Sequence, residues 1–122
     1  MKKGKKYTSR VVVSNALTAK EMGSGDMPVY ATPAMVALVE NAAMMCVADD
    51  IEEDCSTVGI AMNVSHVKAS PVGAEISATA ELTDIEERKL TFKVSAYDGE
   101  TLIGEGVHIR FIVKREKFLS KL

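Results

Sequence analysis

The chain has 122 residues, 47% hydrophobic and 26% charged, with a formal net charge of -2. That is the size and composition of one soluble globular domain able to bury a modest core. The charge balance, and the lack of aromatic residues interleaved with Lys and Arg, argue against nucleic acid as a partner.

In chain order, the basic run at residues 2–6 reads as a solvated, disordered N-terminus over residues 1–6. No apolar targeting segment follows it, which points to a cytoplasmic protein. Val11-Val12-Val13 reads as a short strand, residues 15–22 as a helical turn, and the breaker-rich residues 23–28 as a loop. Thr32-Pro33 is a helix-start signal, a capping side chain followed by proline in the first turn. The helix should run to about Ala48, before the acidic loop at residues 49–54. Between Ala34 and Ala48 only Glu40 and Asn41 are polar, so other structure should wrap it. Its apolar stretches are too short to span a membrane. Cys46 and Cys55 lack metal-ligand spacing, so no metal is expected and both thiols should be reduced.

Four strand patterns follow, over residues 57–68, 74–82, 89–97 and 102–113. The second and third alternate cleanly, with Ile76, Ala78, Ala80 and Leu82, then Leu90, Phe92, Val94 and Ala96, on one face. Asp98-Gly99 signals a two-residue hairpin that would pair Ala96 with Thr101 and Val94 with Ile103. That register places Ile103, Val107, Ile109, Phe111 and Val113 on the packed side, with His108 and Arg110 opposite it. One strand, a long apolar helix and four antiparallel strands predict an α+β domain. Its five-stranded antiparallel sheet curls around one central helix, the hot-dog architecture. One helix cannot cover such a sheet, which favours a homodimer.

Three polar residues sit where the pattern expects burial. His66 continues the face of Val58, Ile60, Met62 and Val64 if that strand is regular. It fits a core histidine tied to a backbone carbonyl, a strand end in solvent, or a proton-transfer group. Glu40 is the only charge in the helix interior. It fits either a narrow exposed stripe shared with Asn41 or a general base or nucleophile. Thr32 suffices as a helix cap, yet a helix start also offers N–H groups to an acyl oxygen. Gly59 permits close backbone approach or marks a bulge. Arg110 reads as a surface residue or a bidentate anion ligand. Thr32 and Glu40 lie about 12 Å apart along an unbroken helix, so they would act on different parts of a substrate or from different subunits.

The stretches ATPAMVALVENAAM, VGIAMNVSHVKASPVG, ELTDIEERKLTFKVSAYDG and GEGVHIRF together resemble hot-dog thioesterases of the fluoroacetyl-CoA thioesterase type. The resemblance runs from about Tyr7 to Phe118, so residues 7–118 form one such domain. It implies a dimer that hydrolyses a small acyl-CoA thioester, with coenzyme A as part of the substrate and no separate cofactor. It assigns the catalytic threonine, carboxylate and histidine to Thr32, Glu40 and His66, a backbone glycine to Gly59, and an arginine near the acyl end to Arg110. The fluoroacetyl-specific enzyme carries phenylalanines in a lid before the central helix, where this chain has Gly23-Ser24-Gly25-Asp26-Met27. A wetter, less selective pocket is expected. The alternative function is a non-catalytic dimer that binds acyl-CoA.

Overall fold

A computed structural model describes all 122 residues. Strand β1 (Lys6–Val12) is followed by a 3-10 turn at Asn15–Leu17 and a short helix α1 (Ala19–Met22). The central helix α2 (Thr32–Val47) leads through a second 3-10 turn at Ala48–Asp50 to β2 (Cys55–His66), β3 (Glu75–Glu86), β4 (Lys89–Asp98) and β5 (Thr101–Lys114). Helix α3 (Arg115–Ser120), which no sequence signal marked, follows. The strands form one antiparallel sheet in the order β1-β3-β4-β5-β2, and α2 lies across it, the expected hot-dog arrangement. No helix is long and apolar enough to cross a membrane.

The basic run is ordered sooner than expected. Gly4 donates to the Leu82 carbonyl, Leu82 donates back to Lys5, and the Lys5 ammonium meets Asp50 at 2.9 Å. Backbone pairing thus overrides the charge pattern, and Lys6 already belongs to β1.

The even-numbered residues of β3 and β4 face the helix as predicted. Ala78 pairs with Ala96, Ala80 with Val94 and Leu82 with Phe92, and all six are buried. Small side chains on the strands and Ala34, Ala42 and Ala43 on the helix let α2 lie close. The helix seats on β1, β3 and β4. Asn41 accepts a 2.7 Å hydrogen bond from the Ser9 hydroxyl of β1, which pins that side. Over β2 the cover thins, so Met62 and Val64 stay partly exposed.

Two register shifts depart from the sequence reading. The hairpin turns on Gly99-Glu100, pairing Asp98 with Thr101, and Gly99 adopts a positive φ of 60°. A bulge between Ala96 and Tyr97 then shifts the pairing, so Ala96 lies opposite Gly104 and Phe92 opposite His108. The expected pairing of Val94 with Ile103 is replaced by Val94 with Gly106. His108 and Arg110 therefore face the helix and are buried, the reverse of the expectation, while Val107 lies exposed on the outer face. In β2 a bulge at Ile60 reverses the alternation. Thr57 and Gly59 point inward before it, and Met62, Val64 and His66 after it. Val58 and Ile60 do not join that face.

Gly104 and Gly106 make room for these approaches. A Cβ at Gly104 would meet the Met35 sulfur and the Ser65 carbonyl oxygen, both at 2.7 Å. At Gly106 it would run into the backbone of Asn63 and Val64. Gly106→Ala should therefore cost about 1–3 kcal/mol in chemical unfolding, the usual penalty for overpacking. Lys93→Ala on exposed β4 surface should stay within about 0.5 kcal/mol.

Candidate active site

The start of α2 is fixed from both sides. Ala31 donates to Leu17 at 2.9 Å and Tyr30 donates to Ser70 at 2.9 Å, which clamps residues 30–31 between two loops. The N-cap is Ala31, which has no side-chain cap to give. Thr32, expected as the cap, is instead the first helical residue. Its hydroxyl is free for another partner, and Thr32 Oγ1 lies 2.8 Å from His66 Nδ1.

His66 occupies the inner face at the end of β2. Its second ring nitrogen, Nε2, is buried and has no hydrogen-bond partner. Burial holds the imidazole below its ordinary pKa, with the Lys68 backbone opposing in part. Tyr30 presents its ring edge-on at 6.4 Å, and burial pushes its phenol up to about 12, so it stays protonated. Thr32 and His66 share a cavity of about 270 Å³ with Tyr30, Val29, Ser24 and Ala19. Ser24 brings the loop at residues 23–27 to its rim.

A second cluster lies farther along the helix. The Glu40 side chain is 43% exposed and its Oε2 stands 3.9 Å from Arg110 Nη1, whose side chain is 8% exposed. Arg110 donates from Nε to Thr57 Oγ1 and from Nη2 to the Thr57 carbonyl, both at 2.8 Å. Its Nη1 donates to His108 Nε2 at 3.2 Å. His108 in turn donates from Nδ1 to the Ala61 carbonyl at 2.8 Å, which fixes one neutral tautomer. Its ring stacks on Phe92 at 6.4 Å. Burial lowers the pKa of both His108 and Arg110. Gly59 closes the group. A Cβ there would sit 2.9 Å from Glu40 Oε2 and 3.1 Å from His108 Cε1.

The five residues singled out in the sequence thus fall into two groups. Thr32 pairs with His66, and Glu40 gathers with Gly59 and Arg110. Helix α2 is unbroken from Thr32 to Val47, so its length keeps the groups apart within one chain. Sequence reasoning missed Thr57 and placed His108 on the outer face of the sheet, where the structure buries it. The signal for Thr57 was Gly59, because a glycine inside a strand marks the bulge that turns residue 57 inward. One trio of possible metal ligands, Glu52, Asp54 and Cys55, lies in the acidic turn outside both groups.

The two lowered imidazole values set a direction for stability. As pH falls, the unfolded chain binds protons before the folded one does. The contribution is complete above about pH 6.5, the ordinary histidine value, and is lost progressively below it. Thermal unfolding midpoints should drop as pH is lowered through that value, and His108→Gln should flatten the drop.

Residues 13–116 match the family described as fluoroacetyl-CoA-specific thioesterase. The chain is 35% identical to the fluoroacetyl-CoA thioesterase of Streptantibioticus cattleyicolor, with 100% of this chain and 92% of that protein aligned. A solved structure of the fluoroacetyl-CoA thioesterase FlK superposes with a TM-score of 0.93 at 35% identity, covering 99% of this chain and 94% of that one. A variant solved in complex with acetyl-CoA gives 0.94 at 34% identity, covering 99% and 96%. A thioesterase superfamily member from Thermus thermophilus shares the fold at 24% identity, with a TM-score of 0.90 and coverage of 98% and 89%. With residues 13–116 matched by the family and 92% of the relative aligned at 35% identity, this chain belongs to the fluoroacetyl-CoA-specific thioesterase family.

Proposed function

We propose that the protein hydrolyses a small acyl-CoA thioester to the free acid and coenzyme A. The observation that carries this reading is the Thr32–His66 contact at 2.8 Å on the rim of a cavity, with His66 Nε2 buried and unpartnered. A buried ring nitrogen without a partner costs free energy unless a ligand or water meets it. The relative solved with acetyl-CoA supports a ligand of that class.

The acyl carbonyl sits beside Thr32 and the first turn of α2, where proline at residue 33 and the absent cap leave the positive helix end open. The Gly59 amide adds a donor for the developing oxyanion. Glu40 accepts a proton from the attacking water, whose oxygen bonds to the acyl carbon as the carbon–sulfur bond breaks. Coenzyme A leaves as its thiolate and needs little acid assistance. His66, neutral near pH 7, relays protons to and from Nε2. Arg110 holds the Glu40 carboxylate in charge contact.

Both groups are needed, and a homodimer supplies them together. Strand β2 is an edge of the sheet with unpaired backbone, and Ile60 on it is 55% exposed. Antiparallel pairing of β2 with a copy of itself sets each end of the strand beside the opposite end of its copy. Thr32 and His66 of one subunit then approach Glu40, Gly59 and Arg110 of the other. Two free cysteines suit a reducing compartment, the cytoplasm.

Thiol release over a panel of short acyl-CoAs tests the activity, and melting curves with the same compounds test the binding-only alternative. Stabilisation without thiol release would leave a binding protein. Glu40→Gln should lower turnover at least about 100-fold, the scale of general base catalysis. Turnover near that of the wild type would remove Glu40 from the chemistry. Mixing inactive Glu40→Gln and His66→Ala subunits after mild unfolding should restore about a quarter of wild-type activity, because half the dimers are mixed and each holds one intact site. No recovery would confine each site to one subunit.

A further inference from the structure

We propose that Thr57 and His108 are positioning residues that clamp the Arg110 guanidinium and, through it, fix the Glu40 carboxylate for taking a proton from the attacking water. The inference rests on the thioesterase reading for its kinetics but on the clamp geometry alone for its structural test.

Arg110 has five N–H donors in a rigid fork. Three are used at once. Thr57 takes Nε–H on its hydroxyl and one Nη2–H on its carbonyl, and His108 Nε2 takes one Nη1–H. The fork is thus held on two edges, and its Nη1, which has a second N–H to give, stands 3.9 Å from Glu40 Oε2. Glu40 sits half-exposed on an apolar stretch of helix and makes no side-chain hydrogen bond of its own, so the charge contact with Arg110 at 3.9 Å is what orients it in this proposal.

Both clamps are themselves constrained. Thr57 faces inward only because of the bulge at Ile60. His108 can accept from Arg110 only as the Nδ1–H tautomer, and the Ala61 carbonyl enforces that tautomer at 2.8 Å. Its ring also stacks on Phe92. Threonine is specific here, since valine would match its volume but leave Nε–H buried without an acceptor.

The test is steady-state thiol release by paired variants. Thr57→Val and His108→Leu should each lower kcat about 100-fold with KM within about threefold, as expected when a reacting group is misplaced by about 1 Å. Thr57→Ser and His108→Gln, which restore an acceptor, should recover most of the loss. On an Arg110→Met background, which also removes the buried charge and so protects folding, Thr57→Val should cost nothing further. Wild-type kcat in Thr57→Val, failure of Thr57→Ser to rescue, or a full additional loss on the Arg110→Met background would each overturn the proposal. If Thr57→Val does not fold, the His108 pair and the double variant decide. The Arg110 Nε–H resonance in nitrogen-15 NMR should be sharp and slow to exchange in the wild type and His108→Gln, and weakened in His108→Leu. That measurement judges the clamp even if no acyl-CoA is cleaved, an outcome that would count against the thioesterase reading instead. An Nε–H that exchanges as fast as those of surface arginines in the wild type would refute the clamp.

Discussion

A guanidinium inside a protein must be met on every side, and Arg110 organises the inner face of the sheet around that demand. A buried charge without partners costs several kcal/mol. Two partners, Thr57 with two acceptor atoms and His108 with one, come from β2 and β5, and the third, Glu40, comes from α2. None of them would reach it in a regular sheet. The bulge between Ala96 and Tyr97 turns Arg110 and His108 inward, and the bulge at Ile60 turns Thr57 toward them. Each irregularity gives up a little pairing locally and makes the charge tenable.

The position of the helix follows from where the small residues are. Ala78, Ala80 and Ala96 let α2 settle over β3 and β4, and Asn41 ties it to β1. The β2 side is left thinly covered. Both polar groups lie along that open side, Thr32 with His66 at one end of the helix and Glu40 with Arg110 farther along it. Packing on one half of the sheet thus decides where chemistry is possible on the other.

Much of this was legible in the residues. The alternation in 76–82 and 90–96 gave the packed face of β3 and β4 directly, and the lone Glu40 and inward His66 marked the two groups. What could not be read was register. Asp98-Gly99 is a strong turn signal, yet the chain turns one residue later, and a bulge then adds a further shift. Because side chains alternate with period two, the odd net shift moved His108 and Arg110 from the outer to the inner face. The apolar odd positions of β5 supported the wrong face, since Val107, Ile109 and Phe111 look like core residues. They line the outer surface instead. Thr32 was misread for a related reason. A threonine before proline is a normal cap, but the helix begins at Thr32 itself with Ala31 as its N-cap, which frees the hydroxyl for His66.

The two groups differ in electrostatic character, and the difference suits the proposed division of labour. His66 sits in a partly buried pocket that favours neutral imidazole, beside a hydroxyl and a protonated phenol, with no nearby carboxylate to charge it. Glu40 has a fixed cation next to it and solvent on its other side. A carboxylate meant to activate water gains from that access, whereas a neutral ring meant to pass protons gains from dryness. Placing both on one short stretch of chain would let the carboxylate raise the basicity of the ring and hold it protonated. Eight residues of helix keep them apart in the monomer. Assembly through the β2 edge would then join them around a substrate, so that the thioester, rather than either residue, bridges the pair.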